Sequence, residues 1–264
     1  MKKMLVFVWF LIGSHLGYAQ KENTWNGKTC AVVLTYDDAI DIDLDHVVPA
    51  LDSAGLKGTF YLIGSSPVVT RRIDEWRKVA AEGYELGNHT LFHPCDGTKP
   101  GRSFVNAETD LSKYTVHRAV AEIRQNNVLL NAIDGKKERT FAYPCADLTI
   151  NGVPFYPELR NEFVAARGVH GNLDSINKVN LDDMDCYSMN NQTGEYMISL
   201  VKKAMETHTL LVFLFHGVGG GHAINVSLGE HSKLIHFLQE HKKEIWVAPM
   251  VTVAAYVREN QTQR

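Results

Sequence analysis

Cysteine is scarce: 4 of the 264 residues, with no C-x-x-C spacing. That argues against a disulfide-scaffolded fold and against a structural zinc knuckle. Basic runs are missing as well. The chain has 27 Lys and Arg against 30 Asp and Glu, a formal charge of −3, which is a poor footprint for nucleic-acid binding. Beyond residue 19 no stretch is apolar for the ~20 residues that a membrane-spanning helix needs. No G-x-S-x-G elbow is present. The nearest stretch, Asn225-Val226-Ser227-Leu228-Gly229, starts on the wrong residue and follows no strand, so a serine esterase is disfavoured. The glycine run Gly217 to Gly221, ending at His222, lacks the Lys-Ser/Thr of a phosphate loop.

What is present is ordinary globular composition, 45% hydrophobic and 22% charged. The first residues differ. Met1-Lys2-Lys3 is a short positive end, Met4 to Gly13 is nearly all apolar, and Gly17 and Ala19 occupy the −3 and −1 positions of a signal-peptidase site. A signal peptide over 1–19 is expected, with export and a single domain over 20–264. Loss of Lys2 and Lys3 leaves 25 basic against 30 acidic residues, a charge of −5.

Strand and helix patterns alternate about seven times. Apolar runs predict strands at Cys30–Tyr36, Lys57–Ile63, Tyr84–Leu86, Arg139–Tyr143, Phe163–Arg167, Lys178–Leu181, Thr209–Phe215 and Ile245–Ala248. Helical spacing predicts Leu44–Ala54, Ser66–Glu82, Glu108 to roughly Leu130, Glu195–Thr207, Glu230–Glu240 and Val251–Arg258. Such alternation means mostly parallel strands with helical crossovers, as a barrel or as an open doubly wound sheet.

The chemistry collects behind the strands. Asp37-Asp38 follows the first, His89 to His93 the third, Tyr143 to Asp147 the fourth, and His216 the most apolar one. Parallel strands bring all of these to one rim. Alone, an H-x-x-x-H pair, an Asp-Asp or a His before glycine is weak evidence, but the ordered combination is not. Two His four apart can share one side of a helical turn, and with one carboxylate they make a metal site with open positions. The second carboxylate is then free as a base and the further His as an acid, which suffices for metal-assisted hydrolysis of an acyl bond.

Here the sequence resembles the polysaccharide deacetylases with the NodB homology domain. Thr35-Tyr36-Asp37-Asp38-Ala39 stands against T-F-D-D-G, His89 to His93 against H-[ST]-x-x-H, and Leu214-Phe215-His216 against L-x-H. The resemblance implies a distorted (β/α) barrel of about seven repeats. It implies Asp38, His89 and His93 as metal ligands, Asp37 as general base and His216 as general acid. Zinc is the expected metal, with cobalt or nickel also suited to two nitrogens and one oxygen. Leu214 would line the acetyl pocket, Tyr143 would touch substrate, and the backbone N–H of Cys145 would hold the oxyanion.

The third motif departs from the family's R-P-P-[YW]-G. Ala142 stands where the family's base-steadying arginine would be, leaving Arg139 or Arg167 as substitutes. The fourth motif is only echoed by Asp182-Asp183-Met184-Asp185-Cys186. Cys95 and Cys145 lie on loops that would share the rim, so a disulfide between them is expected. His222 is expected either to touch substrate or to be exposed, while His231, His236 and His241 are expected at the surface. The substrate implied is an acetylated oligo- or polysaccharide. O-acetylated hemicellulose such as xylan is preferred, N-acetylglucosamine polymers are the alternative, and a non-catalytic carbohydrate-binding protein on the same fold is a third possibility.

Overall fold

Every residue of the strand Cys30–Asp37 is buried, which is why it reads as one apolar run: it is covered on both faces. The computed structural model describes residues 24–261, so the expected signal peptide lies outside the described residues. That strand is β1. It is followed in chain order by β2 (Thr59–Leu62), β3 (Glu85–Asn88), β4 (Phe141–Ala142), β5 (Ala166–Arg167), β6 (Tyr187–Ser188), β7 (Leu210–Phe215) and β8 (Ile245–Val247). They form one sheet in the order β5-β4-β3-β2-β1-β7-β6, and every pairing in it is parallel. β8 joins the first half of β1 (Cys30 opposite Ile245), while β2 pairs with its second half (Thr35 opposite Thr59).

The two ends of this sheet curl toward each other. Arg167 of β5 bridges Met184, and Gly168 N–H donates to the Met184 carbonyl at 2.9 Å, just before the chain enters β6. The result is the expected distorted (β/α) barrel. Its helices are α1 (Val48–Ala54), α2 (Pro67–Arg71), α3 (Ile73–Ala81), α4 (Val116–Asp134), α5 (Gly194–Thr207), α6 (Leu228–Glu240) and α7 (Met250–Asn260). No described helix is long and apolar enough to cross a membrane.

Local chemistry moved several boundaries. The long helix starts at Val116 instead of Glu108, because Thr115 caps the Arg118 N–H and Asp110 caps a separate turn over Leu111–Lys113. The expected helix over 66–82 breaks at Arg72, whose guanidinium is drawn to Asp41, Asp45 and Glu75. The expected strand Lys178–Leu181 does not form. The Asn180 side chain accepts from the Asp182 N–H and favours a turn, and Tyr187–Ser188 supplies the strand instead.

His231 corrects another expectation. It sits on the inward face of α6, buried, with Nε2 2.9 Å from the Tyr36 hydroxyl and its ring edge-on to Phe215. Burial pushes its pKa down to about 4 from 6.5. A lowered histidine stabilises the fold fully above the unfolded value and loses that contribution as pH falls toward the folded one. Between pH 6.5 and 4 the wild type should therefore lose roughly 3 kcal/mol that His231→Phe does not lose. Urea unfolding of both proteins across that window checks this, and parallel pH profiles would refute it. His236 is exposed and His241 half-buried, while Met184 and Met189 are core residues.

Candidate active site

The end of β1 turns sharply. Asp38 and Ala39 have φ of +82° and +55°, a conformation non-glycine residues adopt rarely. The Asp43 carboxylate steadies the turn by accepting from the Ile40 N–H at 3.0 Å. The turn sends the two carboxylates in different directions: Asp37 into the barrel, Asp38 toward the rim.

His89 and His93 are not on a helical turn, contrary to expectation. They sit on a loop stapled by side chains: Asn88 Oδ1 accepts from the Thr90 N–H at 2.8 Å, and Thr90 Oγ1 accepts from the His93 N–H at 2.8 Å. His89 Nδ1 donates to the Ala142 carbonyl at 2.9 Å, which fixes the tautomer and leaves the Nε2 lone pair facing the rim. The ligand atoms of Asp38, His89 and His93 all lie within 4.8 Å of one another, with Asp38 Oδ1 3.6 Å from His89 Nε2 and 3.7 Å from His93 Nε2. Asp38 Oδ1 is buried without a hydrogen-bond partner. An orphaned carboxylate oxygen between two imidazole nitrogens fits a divalent cation, and two nitrogens with one oxygen suit zinc, cobalt or nickel.

Of the two candidate arginines, Arg167 is the one that reaches Asp37. Its Nη2 donates to Asp37 Oδ2 at 2.5 Å, both groups are buried, and the guanidinium lies over the Tyr61 ring at 5.0 Å. Arg139 is excluded. It precedes β4 at the opposite end of the barrel, where it binds Asp134 at 3.2 Å and the Leu86 carbonyl at 2.7 Å. Burial alone would raise the Asp37 carboxyl, but Arg167, His89 and His216 together hold it below the ordinary carboxylate range. Asp38 moves the other way, raised by burial and by the Asp37 charge. Burial also lowers His89 to about 3 and lowers His93 and His216.

The loop after β4 closes one side of the site. It rests on a second apolar cluster that includes Phe141, Tyr143, Phe155 and Tyr156. The expected Cys95–Cys145 disulfide is formed, with Cα atoms 5.8 Å apart, tying this loop to the His93 segment. A network that the sequence did not suggest adds to it. Asp147 is buried and accepts from the Asp96 N–H at 2.8 Å, from Arg102 Nη1 at 2.7 Å and from Lys99, while Arg102 also donates to the Cys145 carbonyl at 2.8 Å. The result is an open cleft of about 700 Å³. Its polar floor is Asp37, Asp38, His89, His93 and His216, and its walls include Tyr143, Cys145, Leu214 and Phe104.

Residues 26–152 match the family model described as polysaccharide deacetylase. Among solved structures, the Xyl-CE4 domain of a multidomain xylanase from the hindgut metagenome of Trinervitermes trinervoides superposes with a TM-score of 0.55 at 16% identity, covering 85% of this chain and 89% of that one. Residues 26–152 thus carry the polysaccharide deacetylase signature, and the fold is one that solved deacetylase domains share. The same architecture extends past carbohydrate enzymes: PuuE allantoinase aligns with a TM-score of 0.61 at 10% identity over 98% of this chain and 100% of its own. A gellan lyase of a Bacillus species is 25% identical over 260 residues, which are 89% of this chain and 10% of the lyase. The chain thus spans about a tenth of that relative's length. Within this deacetylase fold, the residues expected at the site converge on one rim, with Arg139 the exception. His222 is the neighbour whose place was left open. Its Nε2 lies 3.7 Å from Asp38 Oδ2, and its ring stacks on His216 at 4.8 Å and 16°.

Proposed function

We propose that this chain hydrolyses acetyl groups from a carbohydrate with the help of a divalent cation. One observation carries the proposal: a carboxylate pinned by a buried arginine, Asp37, lies directly beside a second carboxylate that shares its corner with two imidazoles. Asp38, His89 and His93 would hold zinc, cobalt or nickel, and that cation supplies Lewis-acid polarisation of the water and of the acetyl carbonyl.

The remaining roles belong to this chain's own groups. Asp37 Oδ1 has no hydrogen-bond partner and is available to take the proton of the attacking water, while Oδ2 stays on Arg167. The Cys145 N–H would hold the developing oxyanion, on a loop locked by the disulfide and by Arg102. His216 gives a proton to the departing alcohol or amine. Leu214 bounds the acetyl methyl, and Tyr143, held by its hydroxyl on the Asp182 carbonyl at 2.8 Å, forms part of the wall. Arg167 also speaks against the non-catalytic alternative, since the steadying charge missing from the third motif is supplied from β5. Export through residues 1–19 belongs to the same proposal.

O-acetylated polysaccharide is the preferred substrate. N-acetylglucosamine polymers are the alternative. Acetate release from acetylated xylan and from N-acetylglucosamine oligomers, measured side by side, decides between them. Release from xylan should stop with chelator and fall by about 10²- to 10⁴-fold in Asp37→Asn. A protein with cation bound that releases acetate from neither substrate would end the proposal.

A further inference from the structure

We infer that His222 is a positioning residue that holds Asp38 as a cation ligand, donating its Nε2–H to the carboxylate oxygen the cation does not take. The inference rests on the cation-dependent reading above and deepens it. The two oxygens of Asp38 face different partners. Oδ1 faces His89 and His93 at 3.6 and 3.7 Å, whereas Oδ2 faces His222 and His216 at 3.7 and 3.9 Å. A ligand carboxylate binds in a defined direction only when its outer oxygen is itself hydrogen-bonded.

Of the two imidazoles at Oδ2, His222 is the one with a set tautomer. The Ile224 N–H donates to His222 Nδ1 at 3.0 Å, shorter than the 3.3 Å to the Ile224 carbonyl, so the ring proton sits on Nε2. From 3.7 Å a small side-chain adjustment brings that N–H to the ~2.8 Å of a charge-assisted hydrogen bond. His216 lacks any such constraint, since its Nδ1 is buried with no partner. The two rings therefore divide the work: His216 exchanges a proton with substrate and His222 keeps its own.

The backbone delivers His222 to this place. Gly220 N–H donates to Asn225 Oδ1 at 2.8 Å, and the chain folds back so tightly that a Cβ on Gly217 would stand 2.3 Å from the Gly220 carbonyl oxygen. The glycine run is thus a device for returning an imidazole to the rim, with the stack on His216 setting the plane of the ring.

Titration of the metal-free protein with Zn²⁺ against a chromophoric chelator tests this in wild type, His222→Phe and His222→Gln. Phe keeps a ring on His216 without a donor, and Gln restores an N–H. Zinc affinity should fall by about 10- to 100-fold in His222→Phe and recover most of that loss in His222→Gln. Equal affinity in all three proteins overturns the inference. An equal loss in both variants does the same, because it would trace to the loop and not to the donor. Absence of zinc binding by the wild type would instead remove the cation-dependent reading and the inference together.

Discussion

Arg167→Met should lower acetate release by about 10²- to 10⁴-fold, the range that a general base contributes. The guanidinium is the one cation hydrogen-bonded to Asp37 among the described residues, and both groups are buried. Burial by itself favours a protonated Asp37, and the arginine, with His89 and His216, opposes that. Without it the carboxyl loses the largest of the influences that favour its ionised form and becomes a poorer base. Because a lone buried carboxylate also costs about 3–5 kcal/mol, the rate should be read per folded molecule. The decisive arm is the double variant: in an Asp37→Asn background, Arg167→Met should add almost nothing, since the two residues act as a unit. Arg167→Lys should fall in between, keeping the charge but not the planar fork. Arg139→Met should lose stability through Asp134 while keeping its rate. Wild-type rates in Arg167→Met, or an equal rate loss in Arg139→Met, would refute this assignment.

Asp38→Asn is expected to abolish the response of the fold to zinc. At a thousandfold its Kd, zinc should add about 4 kcal/mol to the wild-type unfolding free energy. For a domain of this size that is a rise in Tm of roughly 8–16 °C. Asn tolerates the left-handed backbone that position 38 requires, so the substitution tests charge and ligation without adding strain. The metal-free variant should be at least as stable as the metal-free wild type, because burial and the neighbouring Asp37 charge already disfavour an ionised Asp38. Differential scanning fluorimetry with zinc and with chelator checks both statements. A zinc-dependent Tm shift retained in Asp38→Asn would mean that the cation binds elsewhere.

The strand ends were legible because a fully buried parallel strand leaves a continuous apolar run, and the first polar residue after it must lie at the rim. Asp37 and His216 follow that rule. Where a strand is only two residues long and lies in polar surroundings, as at β6, the pattern is too short to place it. There, turn chemistry such as Asn180 onto the Asp182 N–H took over. His231 was misjudged because three histidines at helical spacing carry no sign of which one faces the barrel. Only the packing of α6 onto β1 and β7 shows that it meets Tyr36 and Phe215.

By itself the sequence determined the alternating parallel architecture, the identity and order of the groups at the rim, and the two loops joined by Cys95 and Cys145. Those follow from local pattern, since each group is set by the strand it terminates. Only the tertiary structure shows which arginine lies against Asp37 and which histidines face Asp38. Arg139 and Arg167 flank neighbouring strands, but one lies before its strand and the other ends its strand, and parallel strands send those positions to opposite ends of the barrel. Asp37 and Arg167 are 130 residues apart and meet because the sheet curls. A contact made by curvature and register leaves no trace in the spacing of residues along the chain.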